Sequence, residues 1–117
     1  MSEPLTPTQV LAPSGPALPE RTATWLSMAA PDQDLVDTVA AVNEIVRDWI
    51  PTPADGEPWP HRVVRGCTML AGRMYRRRNS PGGVEVYGAE GAAYVSRSDP
   101  DVAQLLKIGP YADPAVG

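Results

Sequence analysis

From Leu35 to Ile50 the apolar positions recur at helical spacing. At ~100° per residue, Leu35, Val39, Val42, Ile45, Val46, Trp49 and Ile50 share an arc of roughly 140°. Asp37, Glu44, Arg47 and Asp48 fall on the opposite side. Ala30-Pro31-Asp32-Gln33-Asp34 supplies a start, with proline at the first turn and acids beside the positive end of the helix dipole. Pro51 pushes the residue before it out of helical geometry. The pattern predicts an amphipathic helix over 32–50. Pro51 to Pro58 reads as a turn-rich loop. Beyond it, Val63, Val64, Cys67, Leu70, Ala71, Met74 and Tyr75 occupy one arc of a helix over 60–79, with Pro60 first and Arg62, Arg65, Arg73, Arg76 and Arg77 opposite. Ser80-Pro81-Gly82-Gly83 ends it.

The flanks carry weaker patterns. Pro4, Pro7, Pro13, Pro16 and Pro19 punctuate residues 1–21, which read as an extended N-terminal arm, either unstructured or ordered against a neighbour. Thr22 to Met28 fits a turn or two of helix. Val84–Tyr87 and Ala92–Ser96 alternate around Gly88 and Gly91, the pattern of a loose β-hairpin over about 84–96. Ser98-Asp99-Pro100-Asp101 reads as an N-cap with proline at the first helical position, opening a short helix over 100–107 that Gly109 caps and Pro110 stops. Residues 109–117 have no regular pattern and read as a C-terminal tail. The expected fold is therefore mainly α: a small helical bundle of two long helices and short ones spanning 22–108, with a loose hairpin and extended arms.

Composition limits what such a bundle can be. The 117 residues hold no phenylalanine and three tryptophans, so a small core of Val, Leu, Ile, Ala, Met and Trp is expected. A single cysteine, Cys67, excludes an internal disulfide and a Cys-based zinc site, and a single histidine, His61, leaves little for a metal centre or an acid–base pair. Neither a charged-then-apolar leader nor an apolar run near the ~20 residues of a membrane span is visible, which predicts a soluble protein made in the cytoplasm. The net charge of −4 argues mildly against a protein that grips DNA along its length.

The two long helices carry opposite charge. Asp32, Asp34, Asp37, Glu44 and Asp48 face only Arg47 within 31–50, whereas Arg62, Arg65, Arg73, Arg76, Arg77 and Arg78 have no acid among them within 58–84. Such faces can pair within one subunit, stay solvated, join neighbouring subunits, or touch nucleic acid. Arg76-Arg77-Arg78 has the chemistry of a phosphate cluster, but three consecutive arginines spread around a helix, and cations at a helix C-terminus also complement its dipole. Cys67 lies in mid-arc with no base at helical spacing and reads as a buried small hydrophobe. Asp32 and Asp34 read as helix-start acids, and Gly82-Gly83 follows a helix where a phosphate-cradling loop would precede one. No catalytic, metal or cofactor-binding set emerges.

Three blocks together resemble a known pattern: Asp34-Leu35-Val36 leading to Ala40-Ala41-Val42-Asn43 and Arg47-Asp48-Trp49-Ile50-Pro51; then Leu70-Ala71-Gly72-Arg73-Met74-Tyr75-Arg76-Arg77-Arg78-Asn79-Ser80-Pro81-Gly82-Gly83; then Ser98-Asp99-Pro100-Asp101-Val102, Leu105-Leu106 and Ile108-Gly109. Over residues 22–117 the chain resembles the head-to-tail connector (adaptor) proteins of tailed phages, especially those of actinobacteria, with the Leu70–Gly83 block the most specific part. The resemblance implies a homo-oligomeric ring, commonly twelvefold, in the virion neck between the portal protein and the next neck protein (stopper or tail terminator), with DNA passing through the lumen in transient contact. It implies portal binding by the tail, here Gly109, Pro110, Tyr111, Asp113, Pro114 and Val116. Contact with the neck protein would fall on hairpin residues Val86, Tyr87 and Tyr94. The arginine stripe would face a neighbour or the lumen, with Asp37, Glu44 and Asp48 as the complementary face.

Two other readings compete. A small helical DNA-binding regulator would lay the arginine stripe in the major groove. The acidic balance, the shortage of base-reading side chains and the long Pro51–Pro58 loop speak against it. An accessory subunit of another bacterial complex would share the assembly without the portal.

Overall fold

The computed structural model describes residues 9–12, 14–77, 95 and 99–111. The protein is mainly helical, with α1 (Pro19–Trp25), α2 (Gln33–Trp49), α3 (His61–Arg77), α4 (Pro100–Leu106) and a 3-10 turn at Gly109–Tyr111. Among the described residues the only extended pairing is a single bridge between Leu11 and Pro58.

Asp32 opens α2: its backbone is extended and its Oδ1 accepts the Leu35 N–H at 2.8 Å. Its Oδ2 accepts the Tyr75 hydroxyl, tying the start of α2 to the far end of α3. At the other end Ile50 is extended (φ −134°, ψ 152°), as a residue before proline must be, while its N–H still closes the last turn on Val46. Leu35, Val39, Val42 and Val46 are buried along the inner face, each side chain contributing about 1.5–3 kcal/mol. Pro60 lies just before α3, and its carbonyl accepts the N–H of Val64 at 3.1 Å.

α3 is the central helix, packed upon by α1, α2 and α4. Val63, Val64, Cys67, Leu70, Ala71 and Met74 of its apolar arc are buried and Tyr75 half-buried, but Gly66, Thr68 and Gly72 are buried too. They are the places where other helices come close. A Cβ on Gly66 would meet Leu106 Cδ2 at 3.0 Å, from α4, and one on Gly72 would meet Trp25 Cε3 at 2.3 Å, from α1. Thr68 satisfies its buried hydroxyl on the Val64 carbonyl at 2.7 Å.

Of the extended arm expected over 1–21, residues 9–12 and 14–21 lie within the described residues, and these pack on their own chain. Residues 9–12 and 14–18 lie along the 54–59 loop and α2, burying Val10, Ala12, Pro16 and Ala17. Ala12 N–H donates to Glu57 O (3.0 Å), Gly56 N–H to Ala12 O (2.9 Å) and Trp59 N–H to Val10 O (2.8 Å). Buried Trp59 donates its indole N–H to Ser14 O at 2.7 Å. Asn43, on α2, brackets Ala17 from both sides, accepting its N–H at 2.8 Å and donating to its carbonyl at 2.9 Å. Prolines suit this segment because strand-like contacts with a loop need only some of its amides. α1 also starts three residues before the expected 22, because Pro19 takes the first helical position, where a missing N–H costs nothing.

Both short helices end alike, on a residue other than glycine. Ser27 (φ 62°) and Lys107 (φ 54°) turn left-handed, and Met28 N–H and Ile108 N–H reach back to Ala23 O (2.8 Å) and Ala103 O (3.0 Å). Lys107, not Gly109, therefore stops α4; Gly109 (φ 61°) starts the 3-10 turn instead. Of the hairpin expected over 84–96, only Val95 lies within the described residues. It is helical and buried, and its carbonyl accepts the Asp99 N–H at 2.7 Å, so no strand runs through it.

Candidate functional site

The arginine stripe of α3 divides into three groups once the neighbouring helices are in place. Arg73 and Arg77 point towards the start of α4. Arg73 makes a two-pronged bond to Asp101 (Nη1 to Oδ1 2.7 Å, Nη2 to Oδ2 2.6 Å) and a third bond to Asp99 Oδ1 at 3.1 Å. Arg77 Nη2 donates to Asp99 Oδ2 at 3.2 Å. Asp99, expected to cap α4 with its side chain, makes no such bond; its carboxylate is given to the two arginines. The charge-assisted, forked geometry is the stronger use of that carboxylate. Arg73 hydrogen bonds hold the Asp101 carboxyl down at about 2, and the same bonds raise the Arg73 guanidinium above its ordinary value. Arg77 Nε is buried with no hydrogen-bond partner among the described residues.

Arg62 and Arg76 form the second group. Arg62 donates to the Leu105 carbonyl at 3.0 Å, near the C-terminal end of α4, where a cation suits the dipole. Arg76 stacks its guanidinium over Trp25, 5.1 Å from the ring centroid, clamping the end of α1. Arg65 stands apart, exposed on the N-terminal half of α3. Arg78 lies outside the described residues. The acids that the stripe meets are thus Asp99 and Asp101 at the start of α4, held by Arg73 and Arg77, and Asp37, Glu44 and Asp48 of α2 stay exposed with no ion pair among the described residues.

Two clefts open on the surface. One, of about 510 Å3, lies between α1 and the first half of α3, floored by Val64 and Thr68 and walled by Thr24 and Trp25, with Glu20, Arg21, His61 and Arg65 around it. The other, of about 380 Å3, sits at the opposite side of α3's start, between Trp49, Ile50 and the 51–53 prolines on one wall and Arg62, Leu106 and Lys107 on the other. Neither could be read from periodicity. The first lies beside the close approach of α1 to α3, where Trp25 sits against Gly72.

No family model, curated protein or solved structure matches the chain. What it can do is therefore argued from its own residues. Gly109, Pro110 and Tyr111 of the expected portal-binding tail form an exposed turn, with Tyr111 N–H on Ile108 O at 3.2 Å. Asp113, Pro114 and Val116 lie outside the described residues, as do Val86, Tyr87 and Tyr94. Cys67 is buried and its thiol is pushed up to about 12 by desolvation, the state of a packing residue. His61 is exposed on the rim of the larger cleft. No cluster of three metal-ligating side chains occurs among the described residues, and no helix there is long and apolar enough to cross a membrane.

Proposed function

We propose that this protein is a head-to-tail connector subunit of a tailed phage, one member of a ring that sits between the portal and the next neck protein. The observation that carries the reading is the pairing of two separate blocks of the resemblance. Arg73 and Arg77, from the Leu70–Gly83 block, hold Asp99 and Asp101, from the Ser98–Val102 block. Residues far apart in the chain thus belong to one structural unit, as this reading expects of the two blocks. The unit is also small, and a ring would bury surface that a lone 117-residue chain leaves exposed. In this reading the 84–96 segment and the tail at 109–117 are the parts that reach neighbouring proteins of the neck. Genomic DNA passes the lumen without tight binding, consistent with the acidic balance of the chain.

The regulator reading is weaker on geometry. A recognition helix must present a long free face to the groove, and α3 is covered by three helices, with Arg73 and Arg77 committed to α4.

The test is to mix the full chain with its cognate portal and examine it by mass photometry and electron microscopy. A ring stacked on the portal, lost when residues 109–117 are deleted, is the expected result. A monomer that ignores the portal and binds duplex DNA with a steep salt dependence would sink the connector reading.

A further inference from the structure

We infer that the cleft between α1 and α3 is the docking site for the outer face of α2 from a second copy of this chain. The inference deepens the connector reading, because it names the contact by which one subunit joins the next.

The outer face of α2 is unusual for a solvated surface. Val36 is 37% exposed. Ala40 and Ala41 follow it, exposed, with Asp37 before them and Glu44, Arg47 and Asp48 after them, so that three acids and one cation share this face. The alanines leave the helix smooth enough for close approach, and the three acids carry no ion pair among the described residues. The cleft offers the complement. Val64 and Thr68 are buried at its floor, Trp25 gives it an apolar wall, and Arg21, Arg65 and His61 stand around it with Glu20 as the one acid. A volume of about 510 Å3 suits a few side chains of a helix, such as Val36 and its neighbours, rather than a whole element.

Charge decides the orientation. Each chain carries −4, so two copies repel unless an acidic patch meets a basic one. With Arg73 and Arg77 paired to Asp99 and Asp101, Arg65 on the rim of this cleft is an exposed cation with no ion pair among the described residues. A copy cannot fill its own cleft with this surface, because the inner side of α2 is already packed on α3. Each copy would therefore give one surface and receive on the other. That is a head-to-tail contact, and repeated by rotation it closes a ring.

The experiment is a charge swap in the full chain, Glu44→Arg and Arg65→Glu, alone and together, followed by mass photometry with and without the cognate portal. Each single reversal sets like charges face to face and should raise the concentration for half-assembly at least roughly ten-fold, with the double variant recovering most of the loss. Thermal melting checks that these exposed positions leave the fold intact. If a single variant fails to fold, mixing chains bearing Glu44→Cys with chains bearing Arg65→Cys under mild oxidation should give a cross-linked dimer only in the mixture, and no such dimer would overturn the inference. Single reversals that assemble on the portal like the parent overturn the docking site and leave the connector reading standing. A swap pattern seen without any portal engagement supports the docking site and removes the connector reading. A parent chain that stays monomeric in both conditions overturns both.

Discussion

Replacing Gly72 by alanine tests whether α1 is held where the structure places it. An added Cβ would lie 2.3 Å from Trp25 Cε3 and 2.4 Å from Cζ3, more than 1 Å inside the ~3.5 Å at which carbon atoms rest. Two effects then oppose. Alanine in a helix interior is favoured over glycine by about 1 kcal/mol. Overpacking a close contact costs about 1–3 kcal/mol. Trp25 is half-buried and its ring can swing, which would limit the strain, but doing so gives up its stacking with Arg76, itself about 0.5–1 kcal/mol. The expected net effect is a loss of about 1–2 kcal/mol, or a Tm lower by roughly 4–8 °C for a domain of this size.

The sign should reverse when the ring is gone. With Trp25→Ala as background, the space above Gly72 opens, and Gly72→Ala should stabilise by about 0.5–1 kcal/mol. Urea unfolding of the four proteins in a double-mutant cycle reads this as a coupling of about 2 kcal/mol. A Gly72→Ala protein more stable than its parent, with Trp25 present, would refute the packing of α1 on α3 and with it the wall of the larger cleft.

Further outcomes follow from the same contacts. Asn43→Ala removes both hydrogen bonds to Ala17 and should cost about 1–3 kcal/mol, with residues 9–18 becoming open to limited proteolysis; a native-like cleavage pattern would contradict the clamp. Asp101 has its carboxyl held at about 2 instead of 3.8, so the stability it lends is present above pH 3.8 and fades as pH falls towards 2. Because its side chain is 51% exposed, screening limits this to about 0.5–1 kcal/mol, read as the difference between parent and Asp101→Asn in urea melts at pH 7 that should close near pH 2. Cys67, buried with its thiol near 12, should react with a thiol reagent only on unfolding; prompt reaction in the native protein would place it at the surface.

The long helices were legible because their signals are local. Asp32, the Leu35–Ile50 periodicity and Pro51 fix α2 without reference to anything else in the chain, and α3 is as clear between Pro60 and its arginines. What the spacing could not give was α3's place at the centre. A helix that buries one arc has one neighbour; burial of Gly66, Thr68 and Gly72 as well reflects three. The signal was present, since two glycines inside a helix each cost about 1 kcal/mol unless something comes close enough to need them. The packing of the described part of the N-terminal stretch was not legible for the opposite reason. Five prolines look like a chain that cannot pack, yet Pro16 is buried and Pro19 starts a helix, because the side chain that orders them, Asn43, sits on another element.

The same limit explains the charges. In the sequence, acids on one helix and arginines on the next look like partners, and the simplest expectation is that they meet. A helix, however, turns its polar side away from the neighbour on which its apolar side packs. Two adjacent amphipathic helices in one small core therefore point their charges apart, and Asp37, Glu44 and Asp48 cannot reach the arginines of α3 while Leu35, Val39, Val42 and Val46 face it. Arg73 and Arg77 find instead the acids of α4, which approaches α3 from another side. Opposite charge on consecutive helices is thus poor evidence for pairing inside a subunit. Where no third element covers it, it is better evidence for pairing between subunits, which is why the α2 face and the cleft beside Arg65 are the surfaces to test first.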